Sequence, residues 1–163
     1  MDNNRLIMAM ISYYSGDPKR VQHFLKVYQF AKIIGEEERL DKNTQYILET
    51  AAIVHDIGIK MAEEKWGDCN GKLQEQEGPA EAEKLLKTLE YEPEVTRRVS
   101  YLVGHHHTYS GVDGMDYRIL LEADALVNIY EDNLNREAAH HLYEAVFRTK
   151  TGKKLCHKLF GLN

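Results

Sequence analysis

The sequence contains few cysteines and few prolines, and each shortage excludes a class of protein. The 163 residues include two cysteines, Cys69 and Cys156, which lie far apart and form no CxxC motif. This usage argues against a disulfide framework and suits a reducing cytoplasm. With three prolines and 43% hydrophobic residues, the chain has the composition of a soluble globular protein rather than of a disordered or collagen-like one.

Long apolar runs and an excess of positive charge are also lacking. Residues 1–20 contain only a short apolar stretch and no cleavage site of small residues, so they resemble neither a signal peptide nor a membrane span. The 21 basic and 26 acidic residues give a formal net charge of −5, which favours neither a nucleic-acid polymer nor a membrane as a partner. We therefore expect a cytoplasmic protein, in which an anionic substrate would need a local positive site.

Apolar residues recur at spacings of three and four along nearly the whole sequence, which predicts an all-α fold. The length suits one domain, residues 1–163, with a core over residues 17–130 and a helical tail over residues 135–160. Cap signals and apolar stripes predict helices over residues 5–14, from Pro18 to about Ile34, from about residue 43 to an end marked by Gly58, around Ala82 to Leu89, from near Pro93, and from a cap at Asp116.

One segment, residues 66–78, departs from this helical pattern. It holds three glycines and several polar side chains, so we expect an irregular loop there. Loops of this length in compact domains are often functional. The segment is therefore a candidate part of a functional site.

The residues that carry chemistry are histidines and aspartates on apolar helical faces. The sequence has no phosphate-binding glycine loop, dinucleotide fingerprint, serine-hydrolase elbow, HExxH motif or EF-hand loop. His23, the neighbours His55 and Asp56, and Asp124 interrupt apolar stripes, where a polar side chain costs free energy unless it is paired, hydrogen-bonded or metal-bound. Imidazole and carboxylate groups that converge from separate helices commonly hold a divalent transition metal. Gly58 would let His55 and Asp56 bind one ion from a helix end.

The sequence AAIVHDIG, residues 51–58, resembles the central signature of the HD-domain superfamily of metal-dependent phosphohydrolases. The family's order of His, His-Asp and Asp is met by His23, by His55 with Asp56, and by Asp124 in the sequence LLEADAL. The resemblance runs from residue 17 to residue 129. It implies an all-helical HD-type bundle that binds at least one divalent metal ion (Mn, Fe, Mg, Co, Ni or Zn) through these four residues.

Family members that bind two metals carry further histidines, and this chain offers candidates for that second site. The sequence YLVGHHH, residues 101–107, resembles the later of two family elements and offers His105 and His106, with His106 on the apolar stripe of its helix. For His105 and His107, a position in solvent is the alternative. At the earlier element relatives have a histidine, whereas this chain has Glu77. Glutamate is a competent, harder ligand, and the alternative for Glu77 is a surface residue that pairs with a helix dipole.

The resemblance implies hydrolysis of a phosphoester or phosphoanhydride in a small phosphorylated metabolite, with a nucleotide favoured. A bound metal ion would supply hydroxide near neutral pH and offset charge on the phosphoryl oxygens, so Asp56 is a catalytic candidate as well as a ligand. Arg20, one turn before His23, and Lys60, four residues after Asp56, are the nearest basic residues in sequence. They are the candidates to contact phosphate.

Two other functions stay open at this stage. A dinuclear-iron version of the fold, as in myo-inositol oxygenase, activates dioxygen with a similar ligand set, and Glu77 with His105 or His106 would complete its second iron site. A non-catalytic HD module would bind a nucleotide or a partner without turnover. Metal identity and oxygen dependence separate the hydrolase from the oxygenase, and the intact ligand set argues against the non-catalytic module.

Overall fold

The computed structural model describes residues 3–162, and this part of the chain forms nine α-helices and no β-strand. The helices are α1 Asn3–Tyr13, α2 Pro18–Glu37, α3 Lys42–Val54, α4 Gly58–Trp66, α5 Gly71–Thr88, α6 Pro93–Val103, α7 Met115–Glu131, α8 Arg136–Val146 and α9 Lys150–Phe160. The all-α class predicted from the periodicity is therefore confirmed. None of the described helices is both long enough and apolar enough to span a lipid bilayer.

Side-chain caps explain where several helices begin. Asp17 accepts a hydrogen bond from the backbone N–H of Arg20 at the start of α2, and Asp41 accepts one from the N–H of Thr44 at the start of α3. An N-cap side chain of this kind satisfies one of the four N–H groups that have no partner within the helix. The start of α2 therefore lies where Asp17 and Pro18 predict it.

Helix α7 is the centre of the fold, and twelve of its 17 residues are buried. Helices α2 and α3 pack against each other and against α7, while α8 and α9 also contact α7. Helices α4, α5 and α6 pack in sequence on one another, and α6 rests on α3. Because α2, the end of α3 and α7 meet in the interior, the polar residues on their inner faces are brought together.

The prediction of an irregular loop over residues 66–78 is wrong for most of the segment. Asn70 caps α5 by accepting from the N–H of Leu73, and the helix runs from Gly71 through Pro79. Its glycines serve close packing: a Cβ on Gly71 would lie 2.8 Å from the ring of His107, and one on Gly78 would lie 2.6 Å from a methyl group of Val103. Two of the three glycines therefore reflect close packing and not flexibility, and the third, Gly67, ends α4 in the left-handed conformation.

Two further acidic residues on α7, Asp116 and Glu122, form hydrogen bonds to neighbouring segments. The first turn of α7 follows Gly114 rather than the predicted cap Asp116, whose carboxylate instead accepts hydrogen bonds from the Arg98 guanidinium at 2.7 and 2.9 Å. The buried carboxylate of Glu122 accepts from the backbone N–H groups of Arg148 and Thr149 and from the Thr149 hydroxyl. These bonds attach the start of α9 to the helix that carries Asp124.

Candidate metal centre

His55 and Asp56 lie in the short turn that joins α3 to α4. Helix α3 ends at Val54 and α4 begins at Gly58, so Gly58 opens the next helix instead of ending the previous one as the sequence suggested. The hydroxyl of Tyr14 donates to the backbone oxygen of Asp56 at 2.7 Å and holds this turn. Because the two residues lie in a turn and not in the middle of a helix, adjacent side chains can reach one centre.

Two long helices bring the other predicted ligands to the same point. His23 lies on α2, the helix that packs on both α3 and α7. Asp124 lies in the middle of α7 and is 6% exposed. The structure thus places His23, His55, Asp56 and Asp124 on three different parts of the fold that meet in the interior.

The polar atoms of these four residues converge closely. His23 Nε2 lies 3.2 Å from each of His55 Nε2, Asp56 Oδ2 and Asp124 Oδ1. His55 Nε2 lies 3.4 Å from the same Asp56 oxygen and 3.5 Å from the same Asp124 oxygen. Two ligand atoms that are each about 2.1 Å from a metal ion lie about 3.0 to 3.4 Å apart at octahedral or tetrahedral angles. The separations therefore suit atoms that share one ion.

The opposite nitrogens of the imidazoles show which edge of each ring faces the centre. His55 Nδ1 donates to the backbone oxygen of Ala52 at 2.7 Å, and His23 Nδ1 donates to Glu131 Oε1 at 2.6 Å. A neutral imidazole that uses Nδ1 as its donor has a lone pair on Nε2. In both residues that lone pair points toward the two carboxylates. When both imidazoles are neutral, the centre gathers acceptors around one point with no donor among them, an arrangement that calls for a cation.

The electrostatics of the cluster favour positive charge. Burial lowers the pKa of His23, but the carboxylates of Asp124 and Asp56 outweigh that effect and raise it to about 11. His55 behaves in the same way, with its pKa raised to about 10. Burial raises the pKa of Asp56, yet the neighbouring imidazoles hold it well below its usual range. Without a metal ion, protons occupy the position that a cation would take.

One buried atom gives an independent test of whether these residues fit a metal ion. Asp124 Oδ1 is buried and, when His23 and His55 are neutral, has no hydrogen-bond donor within residues 3–162. A buried carboxylate oxygen without a donor is costly, and a bound cation removes that cost. Two imidazole nitrogens and two carboxylates are also a ligand set that suits first-row divalent metals. The residues present therefore fit the ion.

A second group of potential ligands shares Asp56 with the first. His106 is buried, donates from Nδ1 to the backbone oxygen of Val103 and places Nε2 3.4 Å from Asp56 Oδ1. His107 joins Asp56 and His106 in a set whose ligand atoms lie within 4.8 Å of one another. Asp56 thus presents Oδ2 to the first group and Oδ1 to the second, which is how one carboxylate can bridge two metal ions.

Gln74 is a residue of this second group that the sequence analysis missed. Its side-chain oxygen accepts a hydrogen bond from His107 Nε2 at 2.8 Å and lies 3.3 Å from His106 Nε2. Gln74 belongs to the first turns of α5, in the segment that was predicted to be a loop. Recognition of Asn70 as an N-cap would have placed Gln74 on a helix one turn later.

Two of the predicted second-site ligands lie elsewhere. The carboxylate of Glu77 accepts hydrogen bonds from Lys65 at 2.8 Å and from the indole N–H of Trp66 at 3.0 Å, which hold it toward α4. His105 donates to the backbone oxygen of Tyr101 and stacks on the ring of the same residue. Neither belongs to the two groups of potential ligands found among residues 3–162. Of the three residues proposed for a second metal, the structure brings His106 alone to Asp56.

A cavity of about 410 Å³ opens beside the first group, and His23, Asp56 and Asp124 are among the residues that line it. Its wall includes Arg20, although the guanidinium is engaged by Glu63 and lies 3.2 Å from Asp17. Lys60 does not take part in this wall, because its ammonium donates to the backbone oxygen of Tyr13 and lies over the Tyr13 ring. The structure therefore keeps Arg20 near the centre and separates Lys60 from it.

The cavity also shows residues of α7 that the sequence analysis did not single out. Asn128 and Glu131 line it together with Asp124. They follow Asp124 by four and seven residues, a spacing that places all three on one face of a helix. Once Asp124 is taken as a ligand, this spacing is the signal that could have found them.

Comparison with known proteins gives one match. A family model described as HD domain matches residues 20–147. The matched range begins on α2, includes all four residues of the first group and extends through α8. No curated protein and no solved structure matches the chain.

Proposed function

The chain belongs to the HD domain family, and from this premise we propose that it is a metal-dependent phosphohydrolase acting on a small phosphorylated metabolite, with a nucleotide as the favoured substrate. The observation that carries the proposal is the convergence of His23, His55, Asp56 and Asp124 at separations of 3.2 to 3.5 Å from the two imidazole nitrogens. The family as a whole is one of metal-dependent phosphohydrolases. The substrate is part of the proposal.

In this proposal the four converging residues hold a divalent metal ion. When bound, such an ion lowers the pKa of a water molecule and offsets negative charge on phosphoryl oxygens. Asp56 and Asp124 contribute the negative charge that holds the cation. The bonds from His23 Nδ1 and His55 Nδ1 keep both Nε2 atoms directed at it.

Basic groups on the cavity wall support binding of a phosphate group. Lys19 and Arg20 lie on the first turn of α2 and line the cavity that contains His23. Lys19 forms no ion pair within residues 3–162, so its ammonium is available to a phosphate oxygen. Arg20 would have to exchange Glu63 for phosphate, and the guanidinium is well suited to that exchange because it can bind an oxyanion through two N–H groups.

Metal analysis followed by an assay tests the proposal. Purified wild-type protein and D56A would be analysed for bound metal, and both would then be assayed with added manganese for phosphate release from a panel of nucleotides. We expect metal in the wild type, loss of most of it in D56A, and phosphate release by the wild type alone. The expected loss of activity is at least about 1000-fold, because removal of a group on which the metal depends removes its several kcal/mol of charge stabilisation.

D68A provides the matched control. Asp68 is an exposed aspartate in the loop between α4 and α5, and its carboxylate accepts hydrogen bonds from the backbone N–H of Cys69 and the side-chain amide of Asn70. This variant should keep both metal and activity. If the wild type binds no metal under these conditions, or if D56A releases phosphate as fast as the wild type, the proposal is wrong.

A dinuclear-iron oxygenase is the second candidate function, and the shared carboxylate of Asp56 favours it. Asp56 presents one oxygen to His23 and His55 and the other to His106, as a bridge between two ions requires. In that case we expect two irons per chain, oxygen consumption with a suitable substrate and no phosphate release. The same metal analysis therefore separates the two functions.

A further inference from the structure

Glu131 is the last residue of α7 and lies two helical turns after Asp124. Its side chain is 13% exposed, and its two carboxylate oxygens have different partners. Oε1 accepts from His23 Nδ1 at 2.6 Å, while Oε2 lies 3.5 Å from the ammonium of Lys26, one turn after His23 on α2. Glu131 therefore connects the end of α7 to the face of α2 that carries His23.

The bond to Glu131 distinguishes His23 from the other two imidazoles of the centre, His55 and His106, which are both buried. His55 and His106 donate from Nδ1 to backbone oxygens in their own segments, those of Ala52 and Val103. His23 donates instead to a carboxylate that belongs to another helix. A hydrogen bond to an anionic acceptor is stronger than one to a neutral carbonyl, and it increases the basicity of the imidazole nitrogen on the opposite side.

We propose that Glu131 is a positioning residue for the metal centre, which fixes the tautomer and orientation of His23 and thereby sets the strength of metal binding. The inference rests on the metal site proposed above. Glu131 acts through His23, because its Oε1 faces the imidazole edge opposite to the edge that faces Asp56 and Asp124. Since α7 carries both Asp124 and Glu131, one helix supplies a ligand and also orients a second ligand on α2.

Titration of the metal-free protein with Mn²⁺ tests this inference without an activity assay. Binding would be followed by calorimetry and by the electron paramagnetic resonance signal of free Mn²⁺, in wild type and in E131Q. The substitution keeps the size of the side chain and removes its charge. We expect the dissociation constant for Mn²⁺ to rise about 10- to 100-fold, the usual effect of losing such a partner.

K26M is the matched control. It removes the other partner of Glu131 but leaves the bond to His23, so its Mn²⁺ affinity should stay close to that of the wild type. If E131Q binds Mn²⁺ as tightly as the wild type, or if K26M weakens binding as much as E131Q does, the inference is wrong while the proposed function stands. If the wild type itself binds no Mn²⁺, both fail.

Discussion

At the scale of single residues, the hydrogen bonds of the imidazoles determine what the centre can do. Each of His23, His55 and His106 donates from Nδ1 to an oxygen, so each directs Nε2 into the group of carboxylates. An acid–base dyad has a carboxylate on Nδ1 and leaves Nε2 to a reacting group, and His23, with Glu131 on its Nδ1, meets only the first of these two conditions. Here the Nε2 atoms face Asp56 and Asp124, and the arrangement is that of ligands around a cation.

The pKa values of the two imidazoles predict how the stability of the metal-free protein depends on pH. The pKa of His23 is raised to about 11 and that of His55 to about 10, from 6.5 in an unfolded chain. Because the folded state keeps protons that the unfolded state releases, the protonated imidazoles stabilise the folded state. Their contribution to the free energy of unfolding is complete below pH 6.5 and decreases as the pH rises toward 10 and 11. The slope is about 1.4 kcal/mol per pH unit for each proton that the folded state retains.

Thermal unfolding checks this dependence. In EDTA, the melting temperature should fall between pH 6.5 and pH 9, whereas with saturating Mn²⁺ it should change much less, because the ion replaces the protons. The gain in melting temperature on adding Mn²⁺ should therefore increase with pH. H141N, which removes an exposed histidine on α8, should reproduce the wild-type curves. A metal-free protein that becomes more stable from pH 6.5 to pH 9 would contradict this assignment of the protons.

At the scale of helices, the approach of α4 to α5 positions the turn that carries His55 and Asp56. Gly58 opens α4 directly after that turn, and a Cβ on it would lie 2.7 Å from the backbone oxygen of Gln74 and from the backbone nitrogen of Gly78. The two helices are thus in contact through their backbones. The contact also sets where Gln74, the partner of His106 and His107, stands relative to Asp56.

The variant G58A tests this contact through the sign of the change in the free energy of unfolding. In an exposed helix, replacing Gly by Ala stabilises by roughly 1 kcal/mol. At Gly58 the added methyl group meets backbone atoms, which cannot turn away, so we expect a loss of about 1–3 kcal/mol in the free energy of unfolding by urea. Mn²⁺ affinity should fall as well, because the turn must move.

E64A, on the exposed side of α4, is the control for G58A and should leave stability and Mn²⁺ affinity near wild type. A G58A protein that is as stable as the wild type, or more stable, would show that α4 and α5 can move apart without loss of folding free energy.

Helices α2 and α5 show what the sequence could predict and what it could not. The start of α2 followed from Asp17 and Pro18, and the four ligand candidates followed from polar residues on apolar stripes, since both signals are local in sequence. The start of α5 was missed because close contact between helices uses the same glycines as a flexible loop. Glu77 was a candidate second-metal ligand from its place in the family pattern, whereas in the structure Lys65 and Trp66 hold its carboxylate toward α4.

Across the protein as a whole, the distribution of charge predicts which substrates the proposed phosphohydrolase would favour. The protein carries a formal net charge of −5, and the cavity shares this bias. Among its lining residues, the acidic ones outnumber the basic ones by three: the acidic residues are Asp17, Asp56, Asp124, Glu131 and Asp132, and the basic ones are Lys19 and Arg20. One divalent metal ion offsets two of these three negative charges, so the cavity with a metal ion bound keeps a small net negative charge.

We therefore expect nucleoside monophosphates to be better substrates than the triphosphates of the same nucleosides, because the extra phosphate charges are repelled by the carboxylates at the rim. A difference of about tenfold in kcat/KM corresponds to about 1.4 kcal/mol, which one or two partly screened repulsions can supply. Added salt shortens the range of these repulsions, so the difference in kcat/KM between the two substrates should become smaller as ionic strength increases, and D132N should make it smaller at low salt.

The measurement that checks this prediction is the initial rate of phosphate release from AMP and from ATP at several salt concentrations. Equal rates at low salt, or a preference for ATP, would mean that the phosphates lie away from the acidic rim and that the cavity charge does not select the substrate.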